Sequence, residues 1–345
     1  MNGTRALPTL GLALFQTERP QETIELAQLA ERLGYSNLWF GDSQNIWREC
    51  AVTMGAAAVS TDRIRLGTGV TNLATRHLSV VGSIWATLAE LSHGRAVMGI
   101  GTGYTSVGTL GRGSMTLADF EDRVGQLRQL LRGESATDPV SDSSYHLEYV
   151  TTPRMVPFYM AASGPRALQL AGRIADGVII LVGTAPQFVT WALQHVESGA
   201  RSAGRELADL DIVLWVSAAV DSDPARARDR LRARVVRSVV KDLPVDLEPA
   251  LMSEVEALRA HRDRYAQDFY HHLTADAAHA LEVSDDLVDR FALAGTPAEC
   301  SERLAELKQL GVDHVSLVPY PFDLDVKKRS IEMFGQIIAD SGASE

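Results

Sequence analysis

The chain has 345 residues, 46% hydrophobic and 22% charged: room for one large α/β barrel or two medium domains, and no composition for global disorder. A net charge of −11 excludes a general nucleic-acid binder, which needs clustered Lys and Arg, but leaves room for a local basic pocket. The N-terminal stretch lacks an apolar core with a cleavage site, and no run of roughly 18 apolar residues occurs, so a soluble cytoplasmic protein with no membrane partner is expected.

Short apolar strands alternate with longer amphipathic helices, the pattern of a parallel sheet built from βα units. The first strand is expected at Thr9–Phe15, followed by a helix over Pro20–Leu33 with Pro at its start and Gly34 past its end. Strand two is Asn37–Gly41 with a helix over Arg48–Ser60. Strand three is Ile64–Val70 with a helix over Leu78–Leu91. Strand four is Arg95–Ile100, and a glycine-rich loop leads to the helix Leu117–Leu131. Residues 133–156 read as loop and short hairpin. Strand five is Pro157–Ala161 with the helix Pro165–Ala175. Strand six is Gly177–Leu181 with a helix over Pro186–Ala203. Strand seven is Asp211–Val220. Strand eight is Asp313–Val318, preceded by the helix Pro297–Leu310 and followed by one over Val326–Ala339.

Eight strands, each with its helix, point to a (β/α)8 TIM barrel of the α/β class. Residues 222–291 are too long for one crossover and read as a helical insertion near the barrel mouth, within a single domain spanning 1–345. Cys50 and Cys300 each sit in an amphipathic helical pattern and read as small buried hydrophobes, neither a disulfide nor a nucleophile.

Barrels of this kind work at the C-terminal ends of their strands. Strand two ends in Gly41-Asp42-Ser43, with Trp47 close behind. Asp42 and Ser43 should face the mouth, although Asp42 is also a fit cap for the next turn. Strand three ends in Gly67-Thr68-Gly69-Val70-Thr71-Asn72. Glycines at the tip of a buried strand imply a bulge or a close backbone approach, as under a flat ring. Strand four ends in Gly99-Ile100-Gly101-Thr102-Gly103-Tyr104. This is not a dinucleotide fingerprint, because Tyr104 falls on the third glycine and the next helix starts too late. Strand five ends in Ala161-Ala162-Ser163-Gly164-Pro165 and runs straight into a helix, whose exposed N–H groups suit an anion. Gly183-Thr184-Ala185-Pro186 repeats the device after strand six, and two converging helix starts can hold a phosphate monoester.

No zinc-helix, paired-cysteine, Walker or nucleophile-elbow motif occurs. His261, His271, His272 and His279 read as a solvated helical stretch, since neighbours such as His271 and His272 do not share a helix face, and no metal is expected. Glycine-rich strand ends and phosphate grips without a nucleophile or metal suit a cofactor-dependent redox enzyme.

Four blocks in order carry a family resemblance: LGTGVTN (66–72), GRAVMGIGTG (94–103), PFYMAASGPRALQLAGRIADGVI (157–179) and AGTPAECSERLAELKQLGVDHVSL (294–317). The chain resembles the luciferase-like flavin and deazaflavin oxidoreductases. Within them it is most similar to the methylenetetrahydromethanopterin reductases that use coenzyme F420. The resemblance implies a luciferase-like barrel with a cis peptide at Gly69–Val70 behind the cofactor ring. It implies that Asp42, Thr71, Asn72 and the backbone of Gly101, Thr102 and Gly103 contact the ring or its ribityl chain. Ser163, Gly164, Gly183 and Thr184 match the phosphate grip, Ala161 and Ala162 are expected among the cofactor-binding residues, and a homodimer is implied.

The departures concern acids. The reductases carry one in strand one, where this chain has Ala13, and another after strand four, where it has Tyr104. Related sugar-phosphate dehydrogenases carry Asp-His at the strand-two end, where this chain has Asp42-Ser43, but Trp47 matches a tryptophan of that branch. The resulting expectation is hydride transfer between F420 and a small organic substrate at a C=N, C=O or activated C=C bond. Ser43, Trp47 and Tyr104 are the candidate catalytic residues, and Arg166 is a candidate for a basic lane beside the cofactor tail. The alternatives are an FMN-dependent monooxygenase fed reduced cofactor by a separate reductase, and a barrel that binds neither cofactor.

Overall fold

The computed structural model describes residues 7–138, 140–239, 247–260 and 283–342. Eight parallel strands close into a barrel: β1 (Thr9–Leu14), β2 (Asn37–Phe40), β3 (Arg65–Thr68), β4 (Ala96–Gly101), β5 (Phe158–Ala162), β6 (Gly177–Ile180), β7 (Asp211–Val220) and β8 (His314–Pro319). Each pairs with the next, and β8 pairs with β1 to complete the ring.

Alternation along each strand divides the core in two. One set of side chains packs outward against the helices, Leu12, Leu38, Phe40, Leu66, Met98, Phe158 and Leu214 among them. The other fills the barrel: Ala13, Trp39, Val97, Tyr159, Ile179, Val213 and Val318, with Phe15, Val70, Ala161, Trp215 and Phe322 packed on them. The barrel is therefore a filled core whose top layer forms the floor of the mouth.

The helix over Pro20–Arg32 starts where the sequence reading puts it, with Glu22 reaching back to the Arg19 amide at 2.9 Å. The hairpin in the 133–156 region pairs Ala136–Thr137 with Ser144–Tyr145. Cys50 and Cys300 are buried and unbridged, and burial pushes the Cys300 thiol up to about 12. Several elements go beyond the sequence reading, two of them with consequences for the mouth. One is a short helix at Thr105–Gly108. The other is a strand at Ala292–Gly295, which adds to the upper half of β7 in parallel, Ser217 opposite Ala292.

Between β7 and β8 the described residues form the helices Pro224–Val239, Pro249–Ala260 and Asp285–Phe291 before that added strand. The four histidines His261, His271, His272 and His279 lie outside the described residues. No helix among the described residues is long and apolar enough to cross a membrane.

The floor opposite the mouth is polar. The Tyr159 hydroxyl donates to Asp211, Arg65 lies 3.8 Å from Asp211, and Thr9 is hydrogen-bonded to His314. Burial lowers the pKa of His314 from its ordinary 6.5, with Arg65 and Lys308 adding to the effect and Asp211 and Asp313 opposing it. A histidine held neutral in the fold but free to protonate when unfolded stabilises above pH 6.5, and that contribution is lost as pH falls towards the lower folded value. Chemical denaturation at pH 7.5 and 5.5 should thus show stability falling with acid, and His314→Asn should flatten the difference. An unchanged pH slope in the variant would refute the assignment.

Candidate active site

The tip of β3 is built by close backbone approaches. The Gly69–Val70 peptide is cis, as the family resemblance implies. The Gly69 amide donates to the Phe40 carbonyl at 2.7 Å, and the Thr68 hydroxyl donates to the Gly99 carbonyl at 2.5 Å. A Cβ on Gly99 would lie 1.9 Å from the Thr68 carbonyl oxygen, and one on Gly69 would lie 2.2 Å from the Trp215 ring. Only hydrogen fits at either place, so the glycines let β3 bulge over Trp215 and press against β4. Val70 then stands beside Gly101, where a Cβ would meet its methyl at 3.1 Å and Ala161 at 3.7 Å. Val70, Gly101 and Ala161 form a smooth, small-residue ledge. Of the two alanines, Ala161 faces the barrel interior, while Ala162 packs outward with the helices.

The polar residues beside this ledge are occupied by the protein itself. Asp42 is buried: its carboxylate accepts from the Thr71 hydroxyl at 2.5 Å and from both Arg76 nitrogens at 2.6 and 3.0 Å. Arg76 also reaches Glu49 at 2.9 Å, and these carboxylates raise its pKa. The Asn72 side chain donates to the Ser106 hydroxyl at 2.9 Å and accepts from the amides of Ala74 and Thr75. Asp42, Thr71 and Asn72 thus set the shape of the loop under the ledge. The Thr102 carbonyl takes the Met115 amide at 3.0 Å, and the Gly103 carbonyl takes the Ser114 hydroxyl. Gly103 has φ +88°, the left-handed region that favours glycine.

The two halves of the expected phosphate grip differ. Gly164 caps the helix Pro165–Ile174 without a side-chain bond, Ser163 is exposed, and a Cβ on Gly164 would meet open space. That helix start is open to a ligand. The Gly183–Thr184 turn is closed: the amides of Thr184 and Ala185 both donate to the Arg290 carbonyl, at 2.8 and 3.0 Å. The Thr184 hydroxyl is buried between the Asp289 and Ala292 carbonyls, and Arg303 donates to it at 2.9 Å. The cause is the unexpected strand Ala292–Gly295, which brings residues 289–292 over the second helix start. Arg166 is exposed in the first turn after Gly164, the position a basic lane requires.

Among the catalytic candidates, the Ser43 carbonyl takes the amides of Ile46 and Trp47 at 2.8 and 2.9 Å. That turn swings Trp47 over Phe15, ring centroids 5.0 Å apart. Ser43 is 8% exposed, with no hydrogen bond to its hydroxyl among the described residues. Tyr104 stands on the rim ahead of the short helix, 58% exposed. The structure therefore joins Ser43 and Trp47 on one side of the mouth and sets Tyr104 at the strand-four rim.

Three residues at the mouth were not among the site residues expected from the sequence. Phe15 and Phe322 complete an aromatic corner with Trp47, centroids 5.4 and 5.8 Å from Phe322. Phe15 was legible as an inward residue ending strand one, whereas Phe322, beyond strand eight, had no local signal. Arg234, from the helix Pro224–Val239, reaches the Ser217 hydroxyl at 3.2 Å, and Ser217 follows the inward-facing Val213 and Trp215 on β7. Among the described residues no cluster of three or more His, Cys, Asp or Glu side chains suits a metal ion.

This barrel, with its glycine-built ledge and open helix start, has known counterparts. The luciferase-like monooxygenase family matches residues 3–314, and the chain belongs to it. It is 32% identical over 317 residues to a 5,10-methylenetetrahydromethanopterin reductase of Archaeoglobus fulgidus, covering 90% of this chain and 92% of the relative. It is 30% identical to an F420-dependent glucose-6-phosphate dehydrogenase of Beutenbergia cavernae, covering 86% of each. The solved coenzyme F420-dependent tetrahydromethanopterin reductase of Methanopyrus kandleri superposes with a TM-score of 0.76 at 27% identity, over 97% of this chain and 99% of that one.

Proposed function

We propose that the protein is an F420-dependent oxidoreductase that transfers hydride between the deazaflavin and a small organic substrate. The carrying observation is the ledge of Val70, Gly101 and Ala161 over the Gly69–Val70 bulge, beside the open helix start at Ser163–Gly164. The two relatives above, one of them named for F420, support the choice of cofactor. The residues fit the group in part: the ledge offers an apolar seat for a flat ring and the helix start offers amides for a phosphate, while Gly183 and Thr184 are engaged elsewhere. When bound, F420 supplies the hydride carrier.

The chain's own residues hold and orient. Val70, Gly101 and Ala161 support one face of the ring, Ser163 and Gly164 take the phosphate, and Arg166 attracts the acidic tail. Binding two reactants in one geometry can contribute about 7–11 kcal/mol in favourable cases. Trp47 and Phe15 cover the reacting side and exclude water. Ser43 Oγ hydrogen-bonds the substrate heteroatom and relays its proton from solvent as hydride reaches carbon. The rim phenol of Tyr104 is a second donor. Mixing reduced F420 with a panel of imines, ketones and enones tests this, since a substrate restores the oxidised deazaflavin's visible absorbance. Oxygen consumption with reduced FMN, and none of that recovery, would instead support a monooxygenase served by a separate reductase.

We also read the protein as one domain that works as a homodimer. The outer face of the helix Cys50–Ser60 is apolar, with Val52 73% and Val59 68% exposed and Gly55 between them, and Val80 is exposed on the next helix. Such a patch on a charged protein marks a contact surface. Sedimentation at the mass of one chain would contradict the dimer.

A further inference from the structure

Phe15, Trp47 and Phe322 rise from the ends of β1, β2 and β8, all partly exposed, with centroid distances of 5.0, 5.4 and 5.8 Å. Behind them lies a buried ion pair. Lys327 Nζ is 2.6 Å from Glu18 Oε2 and 3.3 Å from the Thr17 hydroxyl, with side chains 1% and 3% exposed. Glu18 Oε1 accepts from Thr23 at 2.9 Å, and the ammonium lies 5.7 Å from the Phe322 ring centroid. The pair therefore ties the loop that carries Phe15 to the helix that follows Phe322. Such a pair adds little net stability over an apolar replacement. What it provides is a fixed distance between two segments more than 300 residues apart in sequence.

Among the described residues, the cations on the side of Phe15 and Trp47 are committed to the protein. Lys327 faces Glu18, Arg48 Nη1 donates to the Gln16 and Thr17 carbonyls, and Arg76 holds Asp42 and Glu49. A phosphate or carboxylate there would find no ready charge-assisted partner among them. Arg234 stands on the β7 side, at Ser217.

We propose that the aromatic corner is the substrate subsite and takes a planar, uncharged carbonyl compound, an aryl or cyclic ketone or enone, in place of a phosphorylated sugar or a pterin. The proposal deepens the F420 reading and rests on it for the reaction, though not for binding. Phe15, Trp47 and Phe322 stack on the substrate's faces, and Glu18 and Lys327 are positioning residues that hold two of the three rings.

The test titrates acetophenone and, separately, glucose 6-phosphate into the full-length protein by calorimetry, with F420 present and without it. Acetophenone should bind saturably and glucose 6-phosphate should give no heat. Trp47→Ala should raise the acetophenone Kd at least tenfold, a larger factor than its effect on the F420 Kd. The double variant Glu18→Gln with Lys327→Met removes both charges together, so no buried ion is left unpaired. It should raise the acetophenone Kd about three- to tenfold with F420 affinity unchanged, a split that general loss of folding does not produce. Saturable glucose 6-phosphate binding, or acetophenone binding that neither variant weakens, overturns the proposal. Absence of F420 binding alone would remove the cofactor reading and leave the titration of the cofactor-free protein to decide the subsite.

Discussion

Gly69→Ala should weaken F420 binding at least tenfold, and adding Trp215→Phe should recover part of the loss. A Cβ at Gly69 would lie 2.2 Å from Trp215 Cη2, 2.8 Å from Cζ3 and 3.0 Å from Trp39 Cβ. None of these is the loose end of a flexible chain. Trp215 is wedged edge-on against Trp39 and Phe15, each with centroids 6.4 Å away, so it cannot swing aside freely. Overpacking of this kind costs about 1–3 kcal/mol. The bulge then has to rise, and it carries Val70 into the space above Gly101. A tenfold change in affinity is about 1.4 kcal/mol, within the range that shift can cause. The smaller phenylalanine at position 215 vacates the atoms the new methyl would strike, which explains the expected rescue. Equal F420 affinity in Gly69→Ala and the parent would mean that the bulge does not seat the ring.

Asp42→Ala should cost stability before it costs affinity. The carboxylate is 4% exposed and accepts three hydrogen bonds, two from Arg76 and one from Thr71. Removing one partner of a buried ion pair leaves the other without its counter-charge, typically a loss of about 3–5 kcal/mol. Arg76 keeps Glu49 at 2.9 Å and is 19% exposed, so the lower end of that range applies. Denaturant unfolding should show a reduced midpoint, and Asp42→Asn, which keeps the shape and loses the charge, should fall between parent and alanine. A residue acting only by contact with the ring would behave in the opposite way, with F420 affinity reduced and the unfolding curve unmoved.

The contrast between Asp42 and Gly101 shows where the amino-acid sequence was legible. The short apolar runs of the strands and the Pro and Gly marks at helix ends located all eight barrel strands to within a few residues, because those signals are local. The glycines of β3 and β4 were readable for the same reason: a buried strand tip without side chains implies close approach. The cis bond at Gly69–Val70 came from family resemblance and from nothing in the residues' spacing. Direction of a polar side chain was less accessible. Asp42 and Asn72 lie at the right strand ends, yet Arg76 and Ser106, both distant in sequence, decide which way they turn.

Gly183 and Thr184 show a longer-range limit. Their helix start has the same local chemistry as Ser163–Gly164, but the Arg290 carbonyl caps it from more than 100 residues away. The strand Ala292–Gly295 that delivers this cap is only four residues long and borders the segment read as an insertion, so its pairing with β7 had no sequence periodicity to announce it. Phe322 and Lys327 belong to the same class, since their partners Phe15 and Glu18 sit at the other end of the chain.

The central claim is that this mouth holds a deazaflavin, and a fluorescence titration of the purified protein with F420 and, in parallel, with oxidised and reduced FMN tests it most directly. Saturable F420 binding in the micromolar range, with FMN at least a hundredfold weaker, is the predicted result. Tight FMN binding with no response to F420 would contradict it.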